Sequence, residues 1–230
     1  AGFIGSNLVN YFTSRGIEVL ALGRKKFSSI RKSRQEKLKN ATYLELDMNN
    51  IEKLSTVTSK IGFDVSKDCV FLNLAWGGIN ILSDLNIKAQ FDNVGQSIKA
   101  LEVAANLGCS KFVHIGTMEE AFTYKYLELD YKKNSEYNRH VIYSVAKIAA
   151  KNSLKAKASQ LGIDYIHVLH SHVMGPDDDK DSFLQVTLKK FHDGGELIFS
   201  SGEQLFDVIS LNDCCQGYMS ICLKGKKDKQ

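Results

Sequence analysis

Along the chain, short apolar runs alternate with longer stretches in which apolar residues recur every three or four positions. The short runs are Val19–Leu22, Thr42–Leu46, Cys69–Leu74, Lys111–Ile115 and Tyr165–Val168, rich in Val, Ile, Phe and Leu. Such runs suit strands buried on both faces of a parallel sheet. The periodic stretches Gly5–Arg15, Asn50–Lys60, Ala89–Leu107 and Tyr143–Leu161 predict helices between them. This alternation predicts an α/β fold with a doubly wound parallel sheet, in which ligands lie beyond the carboxyl ends of the strands. Candidate functional residues are therefore those that follow each strand.

The chain has 230 residues, enough for one large domain or a domain with a small lobe. With 43% hydrophobic and 24% charged residues and a mean hydropathy of −0.19, it falls outside the disordered, collagenous and coiled-coil classes. No apolar run approaches the roughly 20 residues of a membrane span, and no charged-then-apolar leader opens the sequence. The 30 basic and 26 acidic residues leave a net +4, concentrated in Arg24 to Lys39 and Lys224 to Lys229. Without aromatic platforms between the charges, this pattern predicts neither a nucleic-acid nor a membrane partner. The five cysteines are odd in number and form no CxxC pair, so no disulfide framework or structural zinc is expected and a cytoplasmic location is. One proline, Pro176, and no linker or internal repeat are found.

Gly2-Phe3-Ile4-Gly5 runs straight into the first predicted helix. Such a turn can present bare backbone N–H groups and the positive end of the helix dipole to a pyrophosphate; it can equally be a tight turn into a helix. Eighteen residues past Gly5, Leu22-Gly23-Arg24-Lys25-Lys26 closes a strand at the spacing where a dinucleotide fold meets the adenosine ribose. Arg24 in place of a carboxylate suits a 2′-phosphate and favours NADP over NAD, unless the segment is only a solvated basic loop. Asp47 can accept a hydrogen bond from an adenine amino group or cap the helix that follows.

The most specific constellation is Tyr143-Ser144-Val145-Ala146-Lys147, which sets a phenol and an ammonium one turn apart on a helix. A tyrosine needs a neighbouring positive charge to act as a base at neutral pH, and Lys147 offers one. Twenty-six residues upstream of Tyr143, Thr117 ends the strand Lys111–Ile115 on the ligand side of the sheet, where its hydroxyl can share a substrate oxygen with Tyr143. Alone, such a pair reads as a core aromatic beside a surface lysine. Joined to a glycine turn and a strand-end hydroxyl in this order, it reads as a site.

These residues, with the stretches AGFIGSNL, YLELDM, VFLNLAW, FDNVGQSIKALEVAANLGCSKFVHIGT, YSVAK, HVMGP and GEQLFDVISLND, give the chain a resemblance to the extended short-chain dehydrogenase/reductases. Within them it resembles the NAD(P)-dependent nucleotide-sugar epimerases and dehydratases. The resemblance covers nearly the whole chain and implies a Rossmann-type domain over residues 1–175. It implies a small, incomplete C-terminal substrate lobe over 176–230, with a segment returning to the main domain. It implies Thr117, Tyr143 and Lys147 as catalytic residues, with Lys147 also holding the nicotinamide ribose and lowering the phenol pKa. The cofactor contacts implied are Gly2, Phe3, Ile4, Gly5, Arg24, Asp47, Met48, Leu74, Ala75, Trp76 and Asn93. Those toward a nucleotide-linked sugar are Glu119, His172 and Gln204. A homodimer is implied.

The chain departs from the family pattern at Leu169 and His172, where an arginine and an asparagine are common, and at Phe206, where an arginine often meets the substrate diphosphate. Met118 after Thr117 cannot protonate a departing hydroxyl, so the Asp-Glu type of dehydratase is not expected; Glu119 can act as a base or hold a sugar hydroxyl. His170 and His172 share a strand face without a third metal ligand, and Asp177–Asp181 lacks the glycine and glutamate of a calcium loop. The sequence opens on Ala1, half-way through the glycine turn, which predicts roughly 8–12 preceding residues carrying a first strand, central in a sheet of order 3-2-1-4-5-6. Two functions follow: an oxidoreductase that performs 4-epimerisation or 4-keto reduction, or a dinucleotide-sensing regulator without turnover.

Overall fold

The computed structural model describes residues 2–65, 68–78, 86–128, 140–178, 182–199, 201–203 and 205–226. In chain order the elements are α1 (Phe3–Thr13), β1 (Leu20–Gly23), α2 (Lys32–Leu38), β2 (Thr42–Glu45), α3 (Leu54–Ile61), β3 (Val70–Asn73), α4 (Ile87–Asn106) and β4 (Lys111–Ile115). They continue with α5 (Thr123–Leu127), α6 (Val141–Leu161), β5 (Asp164–Val168), β6 (His172–Met174), α7 (Phe183–His192), β7 (Val208–Ser210) and α8 (Leu211–Lys224). Short 3₁₀ helices occupy Phe27–Ser29, Met48–Lys53 and Met118–Phe122.

Two compact units form, each from separated stretches of chain: Ala1–Ala21, Phe27–Tyr43 and Ser171–Met219 in one, and Leu22–Lys26, Leu44–His170 and Ser220–Gln230 in the other. In the second unit, β4 pairs in parallel with β3 on one side and β5 on the other. Every β4 residue is buried, as a central parallel strand requires. The register places Asn73, His114 and His167 in one row near the carboxyl ends of the three strands.

Helices α4 and α6 pack together beside this sheet. Ala100 and Ala104 of α4 and Ala146 and Ala150 of α6 are completely buried, and their small side chains admit a close approach of the two backbones. Helix α6 stops at Gly162, whose φ of +69° suits a residue without a Cβ and whose N–H donates to the Ala158 carbonyl. The buried Lys111 side chain donates to the Cys222 carbonyl (2.7 Å), placing a cation at the last carbonyls of α8.

In the first unit, Ala21, Ile30 and Leu38 form a core with Val9, Ala41 and Tyr43 packed against it. Strands β6 and β7 pair in parallel, from His172 beside Val208 to Met174 beside Ser210. A side chain at Gly175 would strike Leu211 at 2.6 Å, so the Gly175-Pro176 turn lies hard against the start of α8. Asp177 accepts from Lys37 at 2.6 Å and its carbonyl accepts from Arg34.

The five predicted strands and four long helices all form, with ends shifted by a few residues. The predicted helix Asn50–Lys60 divides into a 3₁₀ turn and α3, because the Asp47 carboxylate takes the Asn49 N–H (2.9 Å) and Asn50 leaves helical backbone angles. The predicted Ala89–Leu107 begins at Ile87 because Asn86 caps it, accepting from the Ala89 N–H. Elements α2, α5, α7, α8, β6 and β7 are absent from the predicted pattern. A three-residue strand or five-residue helix is too short to show a period. The described strands form three sheets, β1-β2, β3-β4-β5 and β6-β7, and the first two carry the 2-3 and 4-5-6 neighbours of the expected order.

Candidate active site

Strand β4 ends in Gly116 and Thr117, and the chain turns at once into the 3₁₀ helix Met118–Phe122. Thr117 caps that helix: its hydroxyl accepts from the Glu119 N–H (3.4 Å), while the Glu120 carboxylate accepts from the Thr117 N–H (3.0 Å). This reciprocal capping box fixes the Thr117 backbone just past the strand end. Helix α6 then brings the Tyr143 phenol near the Thr117 hydroxyl, which acts to lower the phenol's pKa. Lys147, one turn further, is 4% exposed; its Nζ donates to the Ile115 carbonyl (3.1 Å), lies 3.8 Å from the Trp76 ring centroid and 5.7 Å from that of Tyr143. Thr117, Tyr143, Lys147 and Trp76 therefore meet at the carboxyl ends of β3 and β4.

Burial dominates the electrostatics. It pushes the Tyr143 phenol up to about 12, opposed by the Thr117 hydrogen bond and reinforced by Glu119 and Glu120. It pulls Lys147 down to about 7, with Glu120 acting against it. The lysine is engaged by the Ile115 carbonyl and the Trp76 face, and the phenol's own desolvation prevails. His114, in the row behind, is 1% exposed and pushed down to about 2 by burial and by Lys147 and His167, so it stays neutral.

The turn after β3 is held from α4. Trp76 donates its indole N–H to Gln90 (2.8 Å). Asn93 takes the Gly77 N–H on its side-chain oxygen and donates to the carbonyls of Gly77 (3.2 Å) and Ala89 (2.8 Å). Ala75, after the half-buried Leu74, donates its N–H to the Asn73 side chain at 3.2 Å. Asn93 thus braces the Leu74–Trp76 turn. Glu119 is buried, and its carboxylate accepts from the Tyr126 hydroxyl and faces His140 Nδ1 at 3.3 Å.

The other predicted residues lie elsewhere. Gly2 is the extended N-cap of α1, with nothing within 4 Å of where a Cβ would stand, and Phe3, Ile4 and Gly5 form a first turn free of acidic side chains. Open space and first-turn N–H groups without a competing carboxylate fit a dinucleotide pyrophosphate. Arg24 is exposed just past β1. Of the two roles open to Asp47, the structure displays the cap, with Met48 as the first residue of the capped 3₁₀ helix. His172 sits on β6 with a buried Nε2 lacking a hydrogen-bond partner and its ring 5.9 Å from that of Phe206. Gln204 lies outside the described residues. Among the described residues no three His, Cys, Asp or Glu side chains gather as a metal site, and no helix is long and apolar enough to cross a membrane.

The sequence reading missed Glu120, His167, Tyr165, His140 and Tyr126. One signal was available: Thr117-x-x-Glu120 has capping-box spacing. The histidines belong to distant elements that only pairing of the strands and packing of the helices bring near.

Parallel strands, flanking helices and a strand-end hydroxyl beside a helix tyrosine define a Rossmann-type α/β protein of the dehydrogenase and epimerase kind. The NAD dependent epimerase/dehydratase family pattern matches residues 1–230, and the chain belongs to that family. Among solved structures it is similar to UDP-glucose 4-epimerase of Thermotoga maritima with UDP-glucose (20% identity, 97% of this chain and 71% of that one, TM-score 0.72). It is similar as well to dTDP-glucose 4,6-dehydratase of Bacillus anthracis in complex with NAD (19%, 99% and 70%, TM-score 0.72). A third is UDP-N-acetylglucosamine 4-epimerase of Bacillus cereus (14%, 100% and 71%, TM-score 0.74). No curated protein matches the chain in sequence.

Proposed function

We propose that the protein is an oxidoreductase of nucleotide-linked sugars that performs 4-epimerisation or 4-keto reduction, with Tyr143 moving the proton of the sugar hydroxyl. The observation that carries this reading is the gathering of the Tyr143 ring, Thr117 and the buried Lys147 side chain, 5.7 Å from that ring, at the carboxyl end of β4. A bound nicotinamide dinucleotide would supply the hydride acceptor and donor. Gly2, Phe3, Ile4 and Gly5 would hold its pyrophosphate, with Asp47, Met48, Leu74, Ala75, Trp76, Asn93 and Lys147 along the rest of its length. Arg24 favours NADP over NAD, because a guanidinium pairs with a 2′-phosphate.

A phenol near 12 is protonated at neutral pH, so Tyr143 begins as a proton donor, which suits delivery to a ketone oxygen. In the reverse direction it takes the hydroxyl proton when positive charge beside it favours the phenolate. Thr117 orients the same oxygen. Lys147, poised near 7, exchanges its own proton at working pH. Glu119 and His172 are assigned to sugar hydroxyls, and Gln204 with them. The presence of all three catalytic residues favours the enzyme over a sensing protein. Residues 176–230 are read as part of the substrate lobe. Free thiols at all five cysteines support a cytoplasmic setting, and the exposed Ile87 and Phe91 of α4 support a homodimer. The test is chromatographic detection of the 4-epimer from a panel of nucleotide sugars, together with oxidation of reduced cofactor by their 4-keto forms followed by absorbance, using NAD and NADP in parallel. Absence of both the epimer and cofactor oxidation across the panel, with dinucleotide binding retained, overturns the enzyme.

A further inference from the structure

Behind Thr117 lies a second, largely buried chain of polar groups. The Glu120 carboxylate takes the Thr117 N–H on Oε1 and is faced by His167 Nε2, 3.0 Å from each oxygen. A carboxylate only accepts, so Nε2 donates. The other ring nitrogen, Nδ1, meets the Tyr165 hydroxyl at 3.1 Å. Burial pushes the Tyr165 phenol far above its ordinary value, leaving it a donor. The side chains of His167 and Glu120 are only 9% and 5% exposed.

The space for this chain is made by one residue. A Cβ on Gly116 would fall 2.3 Å from both Glu120 Oε1 and His167 Nε2, so the pair can close only where residue 116 is glycine. Glu120, backed by His167 across a cleared backbone, holds the N–H of Thr117, whose hydroxyl lies near the Tyr143 phenol. We propose that Glu120, His167 and Tyr165 are positioning residues that set Thr117 against the Tyr143 phenol. The catalytic consequence rests on the proposed function; the geometric one does not. The other groups around the pair are Lys147 and Lys151 of α6, His114 of β4, and Lys224 and Lys226, which line a cavity with His167.

The test uses the full chain labelled with ¹³Cζ-tyrosine, the Tyr143 signal being assigned through Tyr143→Phe. Glu120→Ala shifts the Tyr143 Cζ resonance at neutral pH, because the Thr117 hydroxyl loses its fixed position. Glu120→Gln, which keeps an acceptor for the Thr117 N–H, restores it. Tyr165→Phe removes one hydroxyl at the far end of the chain and gives a smaller shift in the same direction; it decides the matter if Glu120→Ala does not fold. With UDP-glucose and NAD as the activity probe, Glu120→Ala lowers kcat about 10–100-fold while KM for NAD changes by less than about two-fold. A Tyr143 resonance that ignores both variants overturns the positioning chain. A resonance that moves in a wild-type background without hydride transfer leaves the chain standing and counts against the proposed function instead.

Discussion

The Lys147 Nζ stands 3.8 Å from the centre of the Trp76 ring, joining α6 to the turn after β3. The contact brings together a cation, an aromatic face and the Ile115 carbonyl in a space almost closed to water. This explains both why Lys147 can be buried and why it is pulled toward neutrality.

Replacing Lys147 by methionine is expected to raise stability at neutral pH. A lysine pulled to about 7 when folded and ordinary when unfolded binds fewer protons in the native state between those values. Wild-type stability therefore rises with pH from about 7 toward about 10, and the methionine variant lacks that rise. Thermal melts of both proteins at neutral pH and near pH 9 check this: the gap in Tm narrows as pH increases. A gap independent of pH overturns the assignment of a depressed Lys147.

Tyr143→Phe removes the proposed proton carrier and keeps the ring that meets Trp76 edge to face. Hydride transfer is expected to fall by about 10²–10⁴-fold, with dinucleotide affinity unchanged within a few-fold. Stopped-flow absorbance of the reduced cofactor, with a separate binding titration, measures the two effects.

Arg24→Glu is expected to move cofactor preference from NADP toward NAD, since a carboxylate repels a 2′-phosphate and accepts from a 2′-hydroxyl. The ratio of kcat/KM for the two dinucleotides reports it. A wild type that already prefers NAD would show Arg24 to be a solvated surface residue.

Asn93→Ala strips the Gly77 N–H and carbonyl of their partner and frees the Trp76 turn. The expected cost is about 1–3 kcal/mol of stability, from a denaturant titration, together with weaker dinucleotide binding. An effect on stability alone would mark Asn93 as a brace with no bearing on the cofactor.

What the sequence determined on its own was the repeating part of the fold and the local part of the site. The apolar run Lys111–Ile115 could only be a buried strand, and Tyr143 and Lys147 share a helix side because a turn holds 3.6 residues. Tertiary structure decided what depends on distant groups. Asn73, His114 and His167 stand in one row only because β3, β4 and β5 pair in that register. Asp47 held two possible roles in sequence, and only the fold reveals that its carboxylate takes the Asn49 N–H. The direction of the Tyr143 and Lys147 shifts could not be read from their spacing either. A one-turn separation suggests attraction between charges, whereas desolvation at the closed end of the sheet sets both values. Burial is a property of the packed whole, and no local pattern of residues encodes it.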